Sequence, residues 1–119
     1  MHNREKGDIY EAKALEFLKK QGYTLLDKNF RSKYGEIDII VEKNKLTIFV
    51  EVKYRKSNRY GSGIDSVNAR KQRRIYLTAM KYIQEKNLKD AEFRFDLISF
   101  NREELIWNRN VIWGDNIGF

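Results

Sequence analysis

Apolar and polar positions repeat with two different periods along this chain. From Asp8 to Gln21, Tyr10, Ala14, Leu15, Phe17 and Leu18 share one side of a projection at about 100° per residue. Lys13, Glu16, Lys19 and Lys20 share the other, which predicts a helix. Gly22 suits the C′ position that stops it. Tyr23 to Leu26 is a short strand candidate. Period two takes over in Glu36 to Val41 and Leu46 to Tyr54. The polar stretch Glu42-Lys43-Asn44-Lys45 between them reads as a hairpin turn. Arg55 to Gly63 is polar and holds two glycines, so it reads as a loop. Asp65 or Ser66 is the expected cap of a second helix running to about Lys86. Phe93 to Phe100 reads as another strand, and Leu105 to Trp113 as an edge strand or an irregular tail. There is no proline, internal repeat or low-complexity tract. The expected fold class is α/β, a single domain over residues 1–119. Its order is helix, three strands, helix, strand, giving a mixed sheet flanked by helices.

Three polar placements break these apolar faces. Glu11 projects between Leu15 and Leu18, on the side of the first helix meant for the core. A carboxylate there is costly unless it is paired or binds a cation; reaching solvent at the stripe's edge, or pairing with an arginine, would also satisfy it. In the hairpin, strict alternation puts Ile37, Ile39 and Val41 on one face and Glu36, Asp38 and Ile40 on the other. Glu51 and Lys53 share a face with Phe49. With Asn44-Lys45 as the tight turn, Asp38 stands opposite Glu51 and Glu36 opposite Lys53. A one-residue slip would separate them. Like charges directly opposite destabilise a sheet, and a divalent cation would remove that cost; an ordinary solvated face with a Glu36–Lys53 pair is the plainer alternative. In the second helix Val67, Ile75, Thr78, Ala79 and Tyr82 form the apolar side, and Lys71 projects into its middle. Lys71 either snorkels to the surface or is itself a cation held near the carboxylates or a phosphate. Arg70, Arg73, Arg74 and Lys81 read as a solvated basic face.

Composition narrows the chemistry. The 119-residue chain has no cysteine, and its one histidine is His2. Disulfides, iron–sulfur clusters, thiolate zinc sites and cysteine nucleophiles are excluded, and histidine-based catalysis is disfavoured. Lysine and arginine number 24 against 17 aspartate and glutamate, a formal charge of +7. Such an excess favours a polyanionic partner, nucleic acid above all. No apolar run approaches a membrane span, and a cytoplasmic location is the expectation.

Clustered carboxylates beside a lysine suit metal-assisted phosphodiester hydrolysis with Mg²⁺ or Mn²⁺. Lys53 would orient the attacking water or offset developing charge. Arg55, Arg59, Arg70, Arg74 and Lys71 are the expected phosphate contacts. Tyr34, Tyr54 and Tyr60 either stack on bases or pack. Asp38 followed by Glu51-Val52-Lys53 resembles the PD-(D/E)XK nuclease signature, with Ile37 in place of its proline. Gly7 and Glu11, Gly22-Tyr23, Asn29 with Arg31, Gly35-Glu36-Ile37-Asp38, Phe49 to Lys53 with Arg55, Tyr60-Gly61, Lys71 and Arg94-Phe95-Asp96 extend the likeness over nearly the whole chain. Together they resemble the YraN-like family of predicted endonucleases, related to archaeal Holliday junction resolvases. The resemblance implies a restriction-endonuclease-like fold and action on DNA, on branched or structured forms by the resolvase analogy, with a homodimer as one arrangement. It implies Asp38 and Glu51 as metal ligands, Lys53 as the catalytic lysine and Glu11 as a further active-site acid and third metal ligand. Glu36 and Asp96 match the pattern as supporting residues. Two other readings share the charge but not the cluster: a nucleic-acid-binding module without turnover, and a protein-interaction adaptor.

Overall fold

The computed structural model describes residues 3–55, 68–88 and 90–112. The elements run α1 (Asn3–Lys20), β1 (Thr24–Ser32), β2 (Gly35–Lys43), β3 (Leu46–Arg55), α2 (Ala69–Lys86), β4 (Glu92–Asn101) and β5 (Glu104–Asn108). The strands form one sheet in the order β1-β2-β3-β4-β5. All neighbours are antiparallel except β3 and β4, which α2 joins as a parallel crossover. This is the mixed, helix-flanked α/β sheet the sequence pattern predicts. Neither helix is long and apolar enough to cross a membrane.

Two apolar clusters cover opposite faces of the sheet. Tyr10, Ala14, Leu15 and Leu18 of α1 pack on Ile39, Val41, Ile48, Val50, Ile98 and Phe100. Ile75, Ala79 and Tyr82 of α2 pack on Ile37, Ile40, Phe49, Phe95 and Leu97. Among the described residues the helix stripes are those expected, with Gln72 as an unforeseen buried polar residue on α2; Val67 lies outside the described residues. Gly22 ends α1 in the left-handed conformation, φ +96°. Its N–H donates to Lys19 O and that of Tyr23 to Leu18 O, the paired bonds of a Schellman cap.

Several boundaries differ from the sequence reading. The α2 cap is Asn68, whose Oδ1 accepts the Lys71 N–H at 2.9 Å; Asp65 and Ser66 lie outside the described residues. β1 extends to Ser32, well beyond Leu26. It is an edge strand with a bulge between Leu25 and Asp27, so its polar residues face solvent and break the alternation. The tail contains a true edge strand, β5, followed by irregular chain as far as Ile112.

The hairpin turn is Asn44-Lys45, both at positive φ, the type I′ geometry. The resulting register pairs Lys43 with Leu46 and runs to Ile39 with Val50. There the ladder opens, and the expected alternation fails. Ile37 belongs to the α2-side cluster and Ile39 to the α1-side cluster, so the strand changes face across Asp38. On the other flank Asn29 faces the same position and takes φ +53°, a conformation asparagine tolerates.

Candidate functional site

The opened ladder is where the chemistry-bearing side chains meet. Asp38 Oδ2 accepts the Val52 backbone N–H at 2.8 Å. The carboxylate thus supplies the acceptor that a strand carbonyl would otherwise give, and the two strands part around it. Glu51 sits one residue before Val52 on β3, on the face toward α2 with Phe49 and Lys53. The Asp38 N–H and the ammonium groups of Lys71 and Lys53 favour its charge, but burial and the Asp38 carboxylate prevail and raise its pKa to about 8. Its Oε1 is buried with no hydrogen-bond partner among the described residues. Burial raises the Asp38 pKa too, against the pull of the Val52 N–H.

Lys71 reaches this pair from the first turn of α2, where it is half-buried. Burial lowers its pKa to about 8, and the Lys53 ammonium within hydrogen-bonding reach adds to the effect, while Glu51 and Asp38 oppose it. Two carboxylates and two ammonium groups therefore face one another in a partly dry site. Arg70 and Arg74 are exposed on the same end of α2 and line the cavity onto which Glu51 and Lys71 open. The phosphate-binding expectations for Arg59 and for the Arg55 side chain lie outside the described residues, as does Tyr60.

Glu11 approaches from the other side of the sheet. Burial is the first cause raising its pKa to about 7, followed by the charges of Asp38, Asp8 and Glu36. Asn29, whose role the sequence reading missed, ties this side together. With its amide nitrogen turned inward, it donates to Glu36 Oε1 at 2.9 Å and Glu11 Oε1 at 3.1 Å. An asparagine beside an arginine was the available signal; its left-handed backbone was not visible. Glu36 pairs with Arg31 at 3.3 Å, so the expected alternative of a Glu36–Lys53 cross-strand pair is not the one formed.

Asp96 stands apart as a structural hub. It is buried, takes a two-pronged interaction from Arg94 at 2.8 Å for each bond, and accepts from Trp107 Nε1 at 2.8 Å and Asn110 N at 2.9 Å. Tyr54 stacks on Tyr10 with centroids 4.2 Å apart, a packing role. Tyr34 is exposed at the β1–β2 turn.

Among the described residues, no three His, Cys, Asp or Glu side chains converge as a ready-made metal-ligand set. Asp38 and Glu51 fit a hard divalent ion as a pair, since the buried Glu51 oxygen lacks a partner among the described residues and the Asp38 carboxylate disfavours the charge of Glu51. Mg²⁺ is commonly held by one or two carboxylates with waters completing its shell.

Residues 10–100 match the Uncharacterised protein family UPF0102. The chain belongs to the UPF0102 family. A UPF0102 protein of Fusobacterium nucleatum is 49% identical over 119 residues, covering both chains completely. One from Sulfurihydrogenibium is 42% identical over 111 residues, 93% of this chain and 96% of the relative. A UPF0102 protein of Clostridium acetobutylicum is 48% identical over 96 residues, 81% of this chain and 79% of the relative. The matched span of the family contains Glu11, Asn29, Glu36, Asp38, Glu51, Lys53 and Lys71, so the whole cluster lies in the shared region.

Proposed function

We propose that this UPF0102 protein is a metal-dependent endonuclease that hydrolyses DNA phosphodiester bonds, with branched or otherwise structured DNA as its substrate. The supporting observation is the partnerless buried oxygen of Glu51, beside Asp38 and two lysines, at the point where a sheet ladder is held open. Asp38 and Glu51 would hold Mg²⁺ or Mn²⁺. Such an ion supplies charge neutralisation and water activation for phosphoryl chemistry. Lys53 and Lys71 place positive charge where negative charge grows on the phosphate oxygens, inside a site dry enough to make it count. Arg70 and Arg74 hold the neighbouring phosphates and fix the strand across the cavity. Asn29 ties Glu11 to Glu36 on the α1 side, where both add negative charge beside Asp38. A cytoplasmic location suits a DNA substrate.

Labelled linear, single-stranded, flapped and four-way-junction DNA, incubated with Mg²⁺ or Mn²⁺, tests this reading. Cleavage by the wild type and not by Asp38→Asn supports it. Binding without cleavage on every substrate would overturn it. That outcome would favour a nucleic-acid-binding module without turnover.

A further inference from the structure

Beyond the carboxylate cluster, a second groove runs between α2 and the β1–β2 turn. Arg31 and Lys33 stand on the turn side, and Lys81 on the helix side. Leu77 and Met80, both half-buried, contribute its apolar part. The turn residue Tyr34 lines this groove and also the cavity of Glu51 and Lys71, so its ring stands where the two meet.

The turn is well anchored. Ser32 Oγ accepts the Tyr34 N–H at 3.0 Å and shares a 2.8 Å hydrogen bond with Thr78 Oγ1, a fully buried group of α2. Next to it, a Cβ built on Gly35 would stand only 3.8 Å from Arg74 Cβ, so turn and helix are in close approach. Lys33 Nζ lies over one face of the Tyr34 ring, 5.3 Å from its centroid, and Tyr34 as a residue is 38% exposed. An aromatic platform next to basic groups along a groove is how proteins hold unpaired nucleotides: the ring takes a base face while the cations track the phosphates. A base inside a duplex is already stacked and offers no face to such a ring.

We propose that Tyr34 is a base-stacking platform for an unpaired nucleotide adjoining the scissile phosphate, and that Lys33 and Lys81 carry its strand along the second groove. The inference rests on the nucleic-acid reading above and narrows the substrate to DNA with single-stranded character at the cleavage point. It makes Tyr34 a specificity-determining residue.

The test is binding, in EDTA so that no strand is cut. Wild type, Tyr34→Ala, Tyr34→Phe and Lys33→Ala/Lys81→Ala are titrated against a single strand carrying 2-aminopurine and against a labelled blunt duplex. Thermal melts check that each variant is folded. Tyr34→Ala should weaken single-strand binding on the order of ten-fold and abolish 2-aminopurine quenching, with little change on the duplex. Tyr34→Phe should keep both, because it keeps the ring. The double lysine variant should weaken single-strand binding and reduce its salt dependence. Equal single-strand affinity and quenching in wild type and Tyr34→Ala would overturn the inference alone. The same loss on duplex and single strand would also overturn it, and no binding to either DNA would overturn it together with the nucleic-acid reading.

Discussion

Asp38 and Val52 are joined across the hairpin by a side chain where the sheet would use backbone: the Asp38 carboxylate accepts the Val52 N–H at 2.8 Å. Asp38→Asn keeps an acceptor oxygen in this position and removes the charge. We expect it to fold normally and, without metal, to melt at a higher temperature than the wild type, because Glu51 loses a like-charged neighbour. Cleavage should fall at least about 100-fold, the scale on which electrostatic groups at reacting centres act. Asp38→Ala removes the acceptor as well and should be less stable than Asp38→Asn by about 1–3 kcal/mol, the cost of leaving a buried N–H unpaired. Calorimetry and single-turnover cleavage on the same samples check both halves.

Without metal, the pH dependence of stability should be biphasic. The folded-state pKa of Glu51 is raised to about 8 and that of Glu11 to about 7. Between the ordinary carboxylate range near pH 4.5 and those values the native state holds protons that the unfolded chain has released, so stability falls as pH rises. Lys71 acts in the opposite sense. Its pKa is lowered to about 8 from 10.5, so its contribution grows as pH rises between those values. Melting in EDTA should therefore decline from about pH 4.5 to 8 and recover toward 10.5. Glu51→Gln should flatten most of the decline, and a curve unchanged by that substitution would remove Glu51 as its source.

Lys71 and Lys53 are not equivalent. Lys53 comes from the hairpin itself, while Lys71 arrives from the crossover helix. Lys71→Met keeps the apolar stem and removes the charge, so it should leave the fold intact while lowering the single-turnover rate about 10²–10³-fold. Lys71→Arg should recover part of that rate. Equal rates in Lys71→Met and wild type would confine its role to packing.

Under the proposed function, Arg70 and Arg74 contribute through phosphates. Replacing both by alanine should weaken binding to all DNA forms alike and reduce the slope of log affinity against log salt by about 2, one for each lost phosphate contact. Melting temperature should be unchanged, since both side chains are exposed.

Asp96 should behave in the reverse way. Its four hydrogen bonds bind Arg94, Trp107 and the chain at Asn110 to β4. Asp96→Ala should cost about 3 kcal/mol of stability by stranding these donors, Arg94 among them. Cleavage per folded molecule should be retained, which chemical denaturation with a parallel cleavage assay will separate.

What the residues disclosed in advance depended on periodicity. The stripe of α1, that of α2 as far as it is described, the Gly22 cap, the Asn44-Lys45 turn and the intrusion of Lys71 into an apolar face follow from spacing alone and are seen in the fold. The strand through Asp38 is different. Alternation assigns Ile37 and Ile39 to one face, whereas the strand changes face between them, because a side chain has displaced a backbone acceptor and the neighbouring Asn29 has turned left-handed. No period contains that information. The far half of β1 was hidden for a related reason: an edge strand with one wet face and a bulge carries a weak signal. The role of Asn29 was not legible because the left-handed backbone from which its amide meets Glu11 and Glu36 leaves no periodic signal.

The parallel pairing of β3 with β4 has a consequence for the order of events during folding. The hairpin bearing Asp38, Glu51 and Lys53 is local and can close within microseconds. Lys71 cannot take its place until α2 has docked, and that requires a pairing between distant parts of the chain, an intrinsically slower step. A half-built chain therefore carries the acids and one base without the second cation that balances them. Completion of the charge set coincides with completion of the sheet, so the nascent hairpin lacks the balanced cluster that the finished domain holds.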